Sequence, residues 1–132
     1  MKTKRKASVV IVLNKESKML VLLRGDDSGS FPGYWNFAGG SVEDGETIET
    51  AAVRELKEET ALTVAEEDLI YFQVNSLPKL MVHFFMTNKY EGDVDINEES
   101  TDYKWVSVDA LKDLKFIPMP PAMLDDIKYY MR

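Results

Sequence analysis

Residues 40–62 read GSVEDGETIETAAVRELKEETAL, from Gly40 to Leu62. Thr47 is a suitable N-cap, and Glu49 suits the positive end of a helix that follows it. Ile48, Ala52, Val53 and Leu56 recur at helical spacing and form an apolar side. The spacing predicts a helix running to about Thr60. At about 100° per residue, Glu55, Glu58 and Glu59 fall within an arc of about 100°. Carboxylates stacked at i,i+3 and i,i+4 repel one another. A divalent cation relieves that repulsion and makes use of it. A solvated acidic face is the plainer alternative, but it accounts for neither Arg54 nor the Gly39-Gly40 entry to the segment.

The surrounding chain narrows the classes. Its 132 residues suit a single domain, 1–132, around one core. No apolar run approaches the roughly 20 residues that span a bilayer, so no membrane association is expected. Met1–Lys6 is basic and Val9–Leu13 apolar, too short for a signal peptide and followed by no small-residue cleavage site. The chain has no cysteine, which excludes disulfides, thiolate nucleophiles and Cys-type zinc sites and fits a cytoplasmic protein. A net charge of −7 disfavours wrapping a nucleic-acid polymer. A small polyanion can still bind where a metal supplies local positive charge.

Outward from the helix, Ser8–Leu13 and Met19–Arg24 read as strands joined by a turn at residues 14–18. Residues 25–33 are rich in Asp, Ser, Gly and Pro and read as a loop. Tyr34–Phe37 reads as a short strand ending at Ala38-Gly39-Gly40. Tyr71–Asn75, Leu80–Thr87 and Tyr103–Val106 read as further strands, with an acidic loop over residues 88–102. Val108–Leu114 reads as a short helix. Ala122–Met131 reads as a last helix, with Pro121 at a favoured first position. Strands and helices without a βαβ rhythm point to an α/β fold with a mixed sheet flanked by helices.

The segment resembles the Nudix box: a Gly, five residues, a Glu, seven residues, then Arg-Glu-aliphatic-x-Glu-Glu-x-Gly-aliphatic. Gly40, Glu46, Arg54, Glu55, Leu56, Glu58, Glu59 and Leu62 match it, and Ala61 departs where the pattern has Gly. The strand end Leu22-Leu23-Arg24, the Trp35-x-Phe37-x-Gly39-Gly40 entry and Trp105-Val106-Ser107 are also similar to that family, so the resemblance covers about Ser8 to Leu114. It implies the Nudix fold, an α/β/α sandwich with a mixed β-sheet, and a nucleotide pyrophosphohydrolase of the MutT-like branch. It implies magnesium, with manganese as a substitute, held by Glu58 and Glu59 with Glu59 central. Glu55 would ligate metal or orient the attacking water, and the Gly39 or Gly40 carbonyl would reach the metal, with Gly40 the stronger candidate. Glu46 and Arg54 would pair as structural supports. Glu99, six residues before Trp105, fits the offset of an acidic ligand or general base in relatives; Glu98 misses it by one. A solvated acidic loop is the competing reading of both.

The partner implied is a small nucleotide, and the chain is expected to act as a monomer or a homodimer. The expected substrate is a nucleoside diphosphate linked to another moiety, foremost an (oxidised) nucleoside triphosphate giving a monophosphate and pyrophosphate. ADP-ribose or a nucleotide sugar is the alternative; Pro78, 16 residues beyond Leu62, matches a placement in the ADP-ribose branch. Guanine-reading relatives carry a polar side chain near the start of the last helix, whereas this chain has no Asn or Asp there before Asp125. Arg24 is a candidate for a phosphate or a simple strand end. Phe31, Tyr34, Trp35 and Phe72 are candidates for base stacking or for the core. Isomerase chemistry on this fold uses a cysteine, which this chain lacks. A non-catalytic nucleotide sensor is disfavoured because Glu55, Glu58 and Glu59 all remain.

Overall fold

The computed structural model describes residues 4–120 and 122–131. The expectation at Pro121 and the first three residues of the basic run lie outside them. Strands β1 (Arg5–Val12), β2 (Met19–Arg24), β3 (Trp35–Asn36) and β4 (Ala38–Ser41) lead into helix α1 (Ile48–Thr60). Strands β5 (Ile70–Ser76), β6 (Leu80–Thr87) and β7 (Ser100–Val106) follow, and helix α2 (Ala122–Tyr130) comes last. Short 3-10 turns occupy Glu66–Asp68 and Asp109–Asp113.

The strands form two sheets. One is four-stranded in the order β4-β1-β6-β5, and the other three-stranded in the order β3-β2-β7. β1 and β6 run parallel and every other pair is antiparallel, so the architecture is mixed. Val9–Val12 of β1 and Met19–Leu23 of β2 are continuously apolar, as suits strands covered on both faces. Ile11, Met19 and Val21 point toward α2 and pack with its Met123 and Ile127. Val10, Val12, Leu20 and Leu22 point the other way and pack with Ala52 and Leu56 of α1. Ala51 and Ala52 are fully buried, and these small side chains let α1 lie close to the sheet. The result is three layers, helix, sheets and helix.

Four departures from the sequence reading exceed one residue; elsewhere ends shift by one, as in β5, expected at Tyr71–Asn75 and found at Ile70–Ser76. β1 starts at Arg5 rather than Ser8, because its ladder with β6 continues to Arg5↔Leu80; backbone pairing needs no apolar side chain. The stretch expected as one strand at Tyr34–Phe37 divides, with Trp35–Asn36 in one sheet and Ala38–Ser41 in the other. β7 begins at Ser100, inside the expected acidic loop, where the chain pairs with Arg24. Its residues 101–104 are exposed, so no apolar alternation marked that start. The helix expected at Val108–Leu114 is the short 3-10 segment Asp109–Asp113.

Ala61 keeps the backbone that the box normally gives to glycine. It has φ 68° and ψ 1°, and its N–H reaches the Lys57 carbonyl. The left-handed cap is therefore formed at the cost of a Cβ.

Candidate active site

The site is assembled where α1 crosses β4. Thr47 caps the helix by accepting the Thr50 N–H at 3.0 Å. Ser8, buried in β1, donates to the Ile48 carbonyl at 2.8 Å and ties the first turn of the helix to the sheet. A single hydroxyl in an apolar run carried no signal of that role in the sequence.

The two glycines let the β1 backbone and the Glu55 side chain approach β4 closely. A Cβ on Gly39 would overlap the Ser8 carbonyl oxygen of β1. A Cβ on Gly40 would lie 2.5 Å from the Glu55 carboxyl carbon. Gly39 N–H donates to Glu59 Oε2 at 3.2 Å. The glycine pair thus brings Glu55 and Glu59 directly over the β4 backbone.

Arg54 sits among the other acids. Its Nε donates to Glu46 Oε2 at 2.8 Å and its Nη2 to Glu46 Oε1 at 2.9 Å, a bidentate pair. Nη2 also reaches the Ser41 carbonyl at 3.0 Å, which pins the segment between β4 and α1 to the helix. Nη1 donates to Glu55 at 3.0 Å and to Glu58 at 3.3 Å. The repulsion among stacked carboxylates is thus relieved at Glu55 and Glu58 by a guanidinium on their own helix. The Arg54 guanidinium and the Glu43 N–H hold Glu46 down to about 2. Arg54 itself is shifted upward, chiefly by Glu46.

Glu59 is different. It is 5% exposed, and no ion pair among the described residues involves it. Burial pushes its carboxyl up to about 8; Glu55 and Glu99 add to the rise, while Gly39 N–H and Arg24 oppose it. Burial also raises Glu55, against the pull of Arg54. Glu99 acts on both Glu55 and Glu59, so its turn faces the helix. The Gly25 N–H meets the Glu99 carbonyl at 3.5 Å, which places that turn beside the end of β2. Glu98 and Glu99 are both exposed, and of the two it is Glu99 that bears on the Glu55 and Glu59 carboxyls.

Among the described residues, no three carboxylate or imidazole groups are drawn together tightly enough to hold a metal by themselves. The donor set nevertheless fits a hard cation. It offers carboxylate oxygens and a glycine backbone, and one acid is buried without a cation of its own. Magnesium commonly takes only one or two carboxylates and completes its shell with water and phosphate.

Arg24 spends its donors on its own loop. Nε bonds the Ser30 carbonyl at 2.8 Å, and Nη2 bonds Ser28 Oγ at 2.7 Å and Ser30 Oγ at 3.1 Å. The next residue, Phe31, has φ 47° and is 45% exposed. A bulky residue at positive φ is a strained conformer that its surroundings must impose. Its ring meets the edge of Tyr34 at 5.4 Å. Trp35, by contrast, is buried in the core cluster beside α2, with Lys104 Nζ 5.0 Å from its ring centre. Phe72 packs against Phe84 and Tyr130. His83 is buried on β6, where its Nδ1 lies 2.9 Å from the Tyr71 hydroxyl.

The NUDIX domain family profile matches residues 2–127, nearly the whole chain. The chain belongs to the NUDIX family. This Nudix chain is 38% identical over 114 residues to an oxidized purine nucleoside triphosphate hydrolase from Danio rerio, covering 83% of this chain and 69% of that protein. It is 33% identical over 99 residues to the dihydroneopterin triphosphate diphosphatase of Escherichia coli K12, covering 74% of this chain and 63% of that protein. A solved MutT structure, from work on Aliivibrio salmonicida and Vibrio cholerae, superposes with a TM-score of 0.83 at 26% identity. That match covers 97% of this chain and 99% of the other. MutT from Methanosarcina mazei Go1 superposes with a TM-score of 0.73 at 25% identity, covering 98% and 94%. The α/β/α arrangement described here is the Nudix fold. No helix among the described residues is long and apolar enough to cross a membrane.

Proposed function

We propose that this chain, taken as one Nudix domain over 1–132, hydrolyses a nucleoside diphosphate linked to a further group. The substrate favoured is a nucleoside triphosphate, with oxidised bases included, giving a nucleoside monophosphate and pyrophosphate. The observation that carries this reading is Glu59, a buried carboxyl without an ion-pair partner among the described residues, set against the Gly39-Gly40 backbone beside Glu55. Similarity to hydrolases named for triphosphate substrates supports the choice. ADP-ribose and nucleotide sugars are the second reading.

Glu59 and Glu58, with the Gly40 carbonyl, would hold Mg²⁺, for which Mn²⁺ would substitute. When bound, the cation supplies Lewis acidity to the phosphate oxygens and acidity to the attacking water. Glu55, steadied by Arg54 and lying over Gly40, orients that water. Glu99 accepts its proton as oxygen adds to phosphorus, with Glu55 the alternative base. The anhydride P–O bond breaks and the leaving phosphate carries away the electron pair. Glu46 and Arg54 keep the carboxylates in place and touch no substrate. Phe31 offers an exposed ring to the base, and Arg24 holds the loop that presents it. Trp35 supports that loop from the core. Such a substrate is met in the cytoplasm, the compartment proposed for this chain.

A panel of canonical and oxidised nucleoside triphosphates, ADP-ribose and nucleotide sugars with Mg²⁺ tests the reading. Monophosphate and pyrophosphate released fastest from a triphosphate support it. Preferential cleavage of ADP-ribose or a nucleotide sugar favours the second reading, and no hydrolysis of any member overturns both.

A further inference from the structure

β5 forms an edge of the four-stranded sheet and pairs only with β6 among the described residues. Edge strands are normally guarded by lysines, prolines or charges pointing along them. Here no charged side chain occurs from Leu69 to Pro78, in a chain whose net charge is −7. Ile70, Tyr71, Val74 and Leu77 are each between 40% and 50% exposed along this stretch. The one guard within it is the irregularity between Tyr71 and Gln73. It interrupts the first half of the strand and leaves Gln73–Ser76 in regular register. Tyr71 is held in place by its hydroxyl contact to His83 and by its ring contact with Phe85 at 5.4 Å.

Charge marks the two ends of this neutral edge with opposite signs. Glu66, Glu67 and Asp68 precede β5, with Glu66 and Glu67 exposed. Lys79 follows it and is exposed, and Lys4 Nζ bonds Ser76 Oγ at 2.8 Å, so its ammonium sits at the same end. A strand that is acidic at its start and basic at its end complements itself only when antiparallel; a parallel pairing would set acid beside acid.

We propose that β5 is a self-association edge on which a second copy of this chain pairs antiparallel about a two-fold axis near Gln73. Centred there, Ile70 of each copy stands opposite Ser76 of the other, and the acidic turn Glu66–Asp68 of each copy lies toward the end of the other that carries Lys4 and Lys79. Backbone N–H and C=O groups along both edges pair, and two four-stranded sheets become one continuous sheet. Such an isologous contact satisfies both copies at once. A single strand edge lies at the small end of specific interfaces, so the dimer is a weak, concentration-dependent one. β4, with Gly39 and Gly40, lies at the opposite edge of the same sheet, so pairing leaves both candidate active sites open.

The test is sedimentation equilibrium of the full chain from micromolar to millimolar concentration, with charge-reversal variants. The expected result is a reversible monomer–dimer equilibrium in the wild type. Glu67→Lys and Lys79→Glu should each raise the dimer dissociation constant at least tenfold, and the double variant should recover most of that loss. Val74→Lys, which puts a charge on the exposed edge, should leave a monomer with unchanged circular dichroism and unchanged hydrolysis. A wild type that is monomeric at millimolar concentration overturns the proposal. So does a dimer that all four variants leave intact, since its contact would then lie on another face.

Discussion

Ala61 is a residue whose cost can be measured directly. Its φ of 68° places an alanine where the Nudix pattern has glycine. A Cβ in the left-handed region costs about 1 kcal/mol, partly offset by the greater freedom of glycine in the unfolded chain. Ala61→Gly should therefore stabilise the protein by up to about 1 kcal/mol, read from urea denaturation, and leave turnover unchanged. Glu59 makes a second prediction, with a sign. Its carboxyl rises from the ordinary 4.5 to about 8 in the fold. Between those values the folded chain holds a proton that the unfolded chain has released. The contribution to stability is thus full below about 4.5 and is lost as pH rises toward 8. Glu46 runs the other way: its value falls from 4.5 to about 2, so its contribution is full above 4.5 and is lost as pH drops toward 2. Metal-free wild type compared with Glu59→Gln should isolate the first effect. Denaturation curves should show the wild type losing stability relative to the variant between pH about 5 and about 8.5. Equal pH slopes would show that Glu59 is not the buried, unpaired acid described here.

At the scale of elements, the legible parts were those whose side chains face a covered surface. β2 and β6 were read with their observed ends because their apolar runs are buried. α1 was read because cap, apolar stripe and box coincide. The start of β7 was not legible, since its exposed residues carry no alternation. The arc of carboxylates was legible, but the separate fates of its members were not. At about 100° per residue, Glu59 falls about 20° from Ile48 and between it and Ala52, on the apolar stripe. That position is why it is buried while Glu58 meets Arg54 at the surface. Arg24 was read as a phosphate contact or a strand end, because a loop that folds back on its own strand leaves no periodic signature. The loop now carries a prediction. Phe31→Ala should raise KM for the nucleotide several-fold with little change in kcat, because a stacking ring binds ground state and transition state alike. A fall in kcat alone would place Phe31 outside base binding.

At the scale of the whole molecule, the sandwich was legible because β1 and β2 bury both faces and therefore require a layer on each side. The division into two sheets was not, since Phe37 carries no mark that the chain changes sheets there. Placing α1 between the β4 edge and the Glu99 turn brings together acids that are 40 or more residues apart in sequence. That convergence is why we expect the proposed hydrolysis to require a divalent cation. Chelation with EDTA should stop hydrolysis, and excess Mg²⁺ should restore it without refolding; turnover that persists in chelator would remove the metal from the reaction.

The most direct measurement is Mg²⁺-dependent nucleotide hydrolysis by Glu59→Gln beside the wild type, with circular dichroism confirming that both are folded. The amide keeps the shape and the Gly39 hydrogen bond but cannot carry the charge that seats a cation. The account predicts a loss of turnover on the order of 10² to 10³-fold or more. A folded variant hydrolysing within twofold of the wild type would contradict it.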